Sequence, residues 1–152
     1  MIALTEINEN NYIDVCSLQV AEDQKAYVAN PMRILASAYA MQSQNARVWA
    51  VTHGEIVVGV LMVKDLLDEP KCYTLEQFLI DYRYQGQWFG RQALNLIIEL
   101  LAKEKNYDAI EICVKMGAKH AVDLYKKAGF LDTAYIDPST PDSYVLRYTF
   151  AD

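Results

Sequence analysis

Apolar residues recur along this chain at two spacings, and the switches between them mark the elements. Met1–Ile7 reads as a strand and about Asn11–Val20 as a helix. A second helix is entered at Asn30-Pro31, where Asn30 suits an N-cap and Pro31 the first helical position. Ile34, Leu35, Ala38 and Tyr39 form its apolar face. Arg47–Thr52, a turn at His53-Gly54-Glu55 and Ile56–Lys64 read as a β-hairpin. Leu66–Lys71 is a polar, proline-containing loop, and Cys72–Ile80 is a strand whose near-continuous apolar end suits a central position buried on both faces.

The period then changes to 3.6. From about Trp88 to Lys105, Phe89, Ala93, Leu96, Ile97, Leu100 and Leu101 make a broad stripe, while Arg91, Gln92, Asn95, Glu99 and Lys103 face water. Ala109–Val114 is a further strand, and the helix Ala118–Ala128 stops at Gly129, which is well placed as a C-cap. Phe130–Ile136 and Ser143–Phe150 close the chain as an antiparallel pair around the Pro138–Pro141 turn. The order β-α-α-β-β-β-α-β-α-β-β predicts an α/β domain on one mixed sheet.

One junction in this pattern carries chemistry. The apolar run ending at Leu79-Ile80 passes through Gln85-Gly86-Gln87-Trp88-Phe89-Gly90-Arg91 directly into the long helix. A strand, a glycine-bearing loop and a helix N-terminus converge backbone N–H groups, and the helix dipole adds partial positive charge. That is an anion site, and it points to a phosphate-bearing cofactor.

Bulk properties narrow the classes. The 152 residues form one domain, 1–152, with 53% hydrophobic and 22% charged residues. No run approaches the roughly 18 apolar residues of a membrane span, and the N-terminus has no signal-like core, so a cytoplasmic protein without membrane contact is expected. Cys16, Cys72 and Cys113 are odd in number and widely spaced, which suits buried reduced thiols. His53 and His120 lie near no plausible ligand set, so no metal is expected. A net charge of −6 argues against nucleic-acid binding and is compatible with a cationic substrate.

With these residues in place, the chain resembles the GCN5-related N-acetyltransferases, most strongly from Tyr73 to Phe130. The family's acyl-CoA loop, Arg/Gln-x-x-Gly-x-Gly/Ala, is similar to Gln85-Gly86-Gln87-Trp88-Phe89-Gly90. Its later helix, Asn-x-x-Ala-x-x-Leu-Tyr-x-x-x-Gly-Phe, is similar to Ala118–Phe130, with Ala121, Leu124, Tyr125 and Gly129 in register. Trp88 stands where the family has Gly, and Ala118 where it has Asn. A large side chain at Trp88 either turns outward and leaves the phosphate nest intact or forces a different loop path. The resemblance implies a mixed, mostly antiparallel central sheet flanked by helices, and by family analogy a homodimer. Val20–Ala29, Ala36–Tyr39 and Leu75–Asp81 look like the bacterial spermine/spermidine (diamine) acetyltransferases.

What the resemblance implies about chemistry is specific. Acetyl-CoA would be the co-substrate, anchored by Gln85–Gly90 and Arg91, with Lys127 near a phosphate and Ala118 and Ala121 beside the pantetheine. Phe78, Leu79 and Ile80 would offer it backbone groups, one N–H polarising the thioester carbonyl. Tyr125 would protonate the departing thiolate, since a phenol is protonated at neutral pH. The acceptor would be a small-molecule amine attacking directly in a ternary complex. A carboxylate recognises its ammonium, and Glu22, Glu76 and Asp81 are the candidates. Glu76, in an otherwise apolar strand, could also take the amine's proton, and Tyr27, Tyr39 and Tyr73 could line the channel. Two alternatives stay open: a non-catalytic CoA-binding or interaction module, and an acetyltransferase for an amino acid, an antibiotic amine or a peptide N-terminus.

Overall fold

The computed structural model describes residues 1–151, arranged around one seven-stranded sheet. In chain order the elements are β1 (Ile2–Glu6), α1 (Tyr12–Cys16), α2 (Pro31–Ala40), β2 (Arg47–His53), β3 (Ile56–Leu66) and β4 (Cys72–Ile80). They continue with α3 (Phe89–Glu104), β5 (Ala109–Lys115), α4 (Lys119–Lys127), β6 (Leu131–Asp132) and β7 (Ser143–Thr149). The strand order is β1-β2-β3-β4-β5-β7-β6. Every neighbouring pair is antiparallel except β4 with β5, so the sheet is mixed and mostly antiparallel, as expected.

Each face of the sheet carries its own core. Val51, Leu61, Tyr73, Leu75, Ile110, Ile112 and Leu146 pack against Ala93, Leu94, Ile97 and Leu101 of α3 and against Val122 and Tyr125 of α4. On the other face, Ala50, Val60, Met62 and Leu79 meet Val15 of α1 and Ile34 and Ala38 of α2. α2 starts as its sequence demands, with the Asn30 side chain accepting from the Arg33 N–H and Pro31 in the first turn. The β2–β3 hairpin turns at Gly54, where φ is +62°.

Four expectations need correction. α1 ends at Cys16, not Val20, because Ser17 Oγ bonds back to the Ile13 carbonyl and Gln19 is drawn off to the end of β4. β6 is two residues long, not Phe130–Ile136. Ala134 turns left-handed (φ +62°), and local bonds from Ala134 and Tyr135 to the Asp132 and Thr133 side chains replace the ladder. In α2, Ile34 and Ala38 are buried but Tyr39, one 100° step further round, is 78% exposed. Of the cysteines only Cys72 is buried, its thiol pushed up to about 11 mainly by burial, whereas Cys16 is half-buried and Cys113 exposed.

No helix of the described residues is long and apolar enough to cross a membrane.

Candidate active site

The site lies where the sheet comes apart. β4 and β5 pair only at Tyr73–Ile110 and Thr74–Glu111 and then diverge, so the rest of the β4 edge has no neighbour. The register of β4 on β3 also slips: Met62 faces Gln77 and Val63 faces Leu75, which leaves Glu76 as an extra, bulged residue. Beyond the bulge, the Asp81 N–H donates to the Val58 carbonyl at 2.8 Å. Antiparallel alternation then turns Gln77 and Leu79 toward β3 and leaves the backbone of Phe78 and Ile80 facing the gap. Leu79, expected to offer backbone groups, spends them on the ladder with Val60.

A cavity of about 630 Å³ opens from this edge. Phe78, Ile80, Gly86, Trp88, Gly90 and Arg91 line one side and Ala118, Lys119, Ala121, Tyr125 and Lys127 the other. The N-terminal turns of both α3 and α4 therefore open on one space, and their dipoles add there. Arg91, in the first turn of α3, has a buried Nε with no hydrogen-bond partner. An unpartnered guanidinium nitrogen beside two helix N-termini fits an anionic group such as a diphosphate. Gly86 reaches φ +78°, which a side chain would strain. Trp88 adopts φ +67°, ψ +7°, a left-handed backbone that glycine takes freely, with its indole 75% exposed. The side chain therefore turns outward. Phe89 stacks on His53 with ring centroids 4.8 Å apart, and Gln87 points to solvent.

A second cavity of about 250 Å³ lies between the divergent strands. It shares Tyr27, Val28, Phe78, Ala118, Ala121 and Tyr125 with the first and adds Glu76, Cys113, Lys115 and Ser143. Tyr125 thus stands in the wall common to both. Its ring packs at 62° against Phe130, centroids 5.9 Å apart, and burial pushes its phenol up from the usual tyrosine value, so it carries its proton at neutral pH. Glu76 is half-buried, with Oε1 3.5 Å from the Lys64 ammonium. Lys115 pairs with Asp142 at 3.0 Å on the rim.

The connection between α1 and α2 is strapped across these cavities. Gln24 and Gln85 exchange a reciprocal pair of amide hydrogen bonds, 3.1 and 3.0 Å, and Gln85 Nε2 also donates to the Ile80 carbonyl at 2.8 Å. Gln85 therefore anchors the strap to the loop. Asp81 has no exposed surface and accepts from the Gln19 N–H (2.9 Å), the Arg83 N–H (3.0 Å) and Arg83 Nε and Nη2 (2.8 and 3.1 Å). Burial would raise its pKa, but the hydrogen bonds from Arg83 and Gln19 outweigh it and hold the carboxyl below the usual range.

These placements divide the expected residues. Tyr125, Glu76, Phe78, Ile80, Ala118, Ala121 and the loop converge. Asp81 is a sequestered clamp with nothing left for an amine. Glu22, 88% exposed, pairs with Lys25 outside both cavities. Tyr39 lines neither, and Tyr73 is fully buried with its hydroxyl accepting from the Asn106 N–H. Lys127 lines the larger cavity but already pairs with Asp123 at 3.0 Å. The sequence reading missed Gln24, Val28 and Gly117. A Cβ on Gly117 would lie 2.9 Å from the Tyr27 hydroxyl, and a glycine directly before a helix start was its one available signal.

The acetyltransferase (GNAT) family model matches residues 11–130. The chain belongs to that family. As a GNAT member it is an N-acetyltransferase on a GNAT fold. It is 24% identical over 140 residues to the spermine/spermidine N(1)-acetyltransferase of Bacillus subtilis (strain 168), covering 90% of this chain and 91% of that one. Among solved structures it is similar to the ribosomal-protein-S18-alanine N-acetyltransferase of Escherichia coli (TM-score 0.71, 19% identity, 100% and 97% coverage). It is also similar to the spermidine N-acetyltransferase of Vibrio cholerae in complex with CoA and spermine (TM-score 0.69, 18% identity, 96% and 92% coverage). At these identities the structural likeness carries the fold alone.

Proposed function

We propose that this GNAT protein transfers the acetyl group of acetyl-CoA to the primary amine of a polyamine or another small alkyl amine, by direct attack in a ternary complex. The observation that carries the reading is the shared wall. One cavity has the chemistry of a diphosphate site, the other holds a carboxylate, and Tyr125 borders both.

Acetyl-CoA would supply an activated acyl group and a thiolate leaving group. The Gly86–Arg91 loop and the α4 N-terminus bind its phosphates, and the β4 backbone left free at Phe78 and at the Ile80 N–H receives its extended arm. Glu76 attracts the ammonium and takes its proton, directly or through water, freeing the nitrogen lone pair for the carbonyl carbon. As the new C–N bond forms and the C–S bond breaks, Tyr125 gives its proton to the sulfur. Burial raises the phenol's pKa, so the proton is in place to be given at neutral pH. The ammonium sheds two protons on its way to the amide: Glu76 passes the first to solvent, the second leaves the nitrogen after attack and makes good the proton Tyr125 has given, and one proton is released overall.

Support for a polyamine comes from the Bacillus subtilis relative and from the carboxylate in the acceptor cavity. Lys115 on the same cavity favours a second reading, an acceptor with a carboxylate beside its amine, as in an amino acid. CoA thiol release across spermidine, spermine, putrescine, lysine, an aminoglycoside and a peptide tests both. Turnover on the polyamines supports the first reading, and turnover on lysine alone replaces it with the second. Silence across the panel, with acetyl-CoA bound in calorimetry, removes the small-amine reading.

A further inference from the structure

Trp88 breaks two local rules at once, and nothing inside the chain offsets either. Its backbone is left-handed, a conformation that strains an L-residue and that glycine adopts freely. Its indole, the largest apolar side chain available, is 75% in water. The other aromatics nearby are engaged: Phe89 is stacked on His53, and Tyr84 is half-buried with the Arg83 guanidinium 5.3 Å from its ring centroid. Of the Phe, Tyr and Trp rings that line the larger cavity, Trp88 is the most exposed, ahead of Tyr27 at 42% on the strap, and it is the one on the glycine loop with a free flat face. Strain held at a ligand site points to a partner that the bound state supplies.

The chemistry of that partner follows from position. Trp88 is the residue from which α3 starts, between Gly86 and Arg91, so it borders the phosphate end of the larger cavity, and unlike Tyr125 it does not line the smaller one. Accepting the acetyl-CoA reading above, on which this inference rests, the group beyond the diphosphate at that end is a nucleoside. We infer that the Trp88 indole is a stacking platform for the adenine ring of the cofactor, a contact the glycine typical of this position cannot make. Stacking of a base on an aromatic side chain corresponds to roughly a 5- to 100-fold gain in affinity. The left-handed backbone is then kept for the phosphates while the side chain is used for the base.

Calorimetry separates this contact from everything else the loop does. The ligands are CoA and 4′-phosphopantetheine, which lacks the 3′-phospho-AMP half of CoA and so loses the adenine together with two phosphates. Wild type should bind CoA much the tighter of the two, and Trp88→Gly should lose roughly tenfold or more on CoA while phosphopantetheine changes little. Trp88→Tyr, which keeps a stacking ring, should recover most of that loss on CoA, whereas a change in the loop's phosphate contacts would not be rescued by a ring. A second readout is optical: in a Trp49→Phe background, CoA should quench the remaining indole emission and phosphopantetheine should not. An unchanged affinity ratio in Trp88→Gly, or no adenosine-dependent quenching, overturns the platform while leaving the cofactor reading intact. Failure of the wild type to bind either ligand overturns both.

Discussion

Asp81 is the most demanding test of how the site is held together. Its carboxylate has no exposed surface and accepts from two backbone N–H groups, Gln19 and Arg83, that lie 62 and 2 residues away. Asp81→Asn keeps the shape but turns one oxygen into an NH₂ group, so a donor then faces a donor. The half-exposed Arg83 guanidinium can turn to water and adds little to the loss. The two backbone donors cannot: they sit on different oxygens, so one keeps the remaining oxygen and the other is left facing the NH₂, at a cost of about 1–3 kcal/mol for a part-buried N–H. The expected destabilisation is about 1–3 kcal/mol, a fall in Tm of roughly 2–12 °C for a domain of this size.

The pH dependence fixes the sign. The folded pKa of Asp81 is depressed, so its ionised form contributes stability that is fully present above the unfolded value, about 3.9. That contribution fades as pH falls through the lower, folded value. Urea unfolding of wild type and Asp81→Asn should therefore differ by a constant amount from pH 7 to pH 5. The gap should close progressively below about pH 4. A difference under 1 kcal/mol at pH 7, or one that widens in acid, would refute the claim that this carboxylate is a clamp.

Three further outcomes follow from the geometry. Tyr125→Phe removes only a hydroxyl, so thiol release should fall by about 10²–10⁴-fold while acetyl-CoA affinity in calorimetry and Tm stay close to wild type; full turnover would remove Tyr125 from its role. Gly59→Ala would place a Cβ 2.5 Å from the Leu79 carbonyl oxygen and 2.8 Å from Ile80 Cδ1, so a loss of about 1–3 kcal/mol in chemical denaturation is expected, together with weaker acetyl-CoA binding. Gln24→Ala breaks the reciprocal amide pair with Gln85 but leaves the loop its bond to Ile80; the acceptor KM should rise roughly threefold to tenfold in steady-state assays, with acetyl-CoA affinity little changed.

The parts of this molecule that were legible in its sequence are those whose cause is local. Asn30-Pro31 starts α2 because cap and ring act within one turn, and the stripe from Ala93 to Leu101 needs only the 3.6-residue period. The strand–loop–helix junction at Gln85–Arg91 was readable because glycines and a helix start are adjacent in the chain. Asp81 was not: its burial depends on Gln19, 62 residues away, and a carboxylate after an apolar run looks the same whether solvated or clamped. Tyr39 failed for a related reason. An apolar stripe shows which residues share a face but not how far along the helix the sheet reaches to cover it. The strap from Leu18 to Asn30 has no period at all, and what holds it is bonds to Gln77, Asp81, Tyr82 and Gln85, all distant in the chain.

The β4 bulge shows why one hidden register shift matters more than any single missed residue. Strict alternation would put Tyr73, Leu75, Gln77 and Leu79 on one face. Instead Tyr73, Leu75, Phe78 and Ile80 share the α3 face, and Leu79 joins the opposite core. One extra residue at Glu76 produces that flip. It shifts the ladder by one residue just after β5 departs, turns the Phe78 and Ile80 backbone into the gap, and places a carboxylate on the smaller cavity. The slot proposed for an extended acyl carrier and the carboxylate proposed as the acceptor's base therefore have one origin. Restoring regular pairing across Met62–Val63 would remove both together, whereas Tyr125 and the α3 loop would survive it.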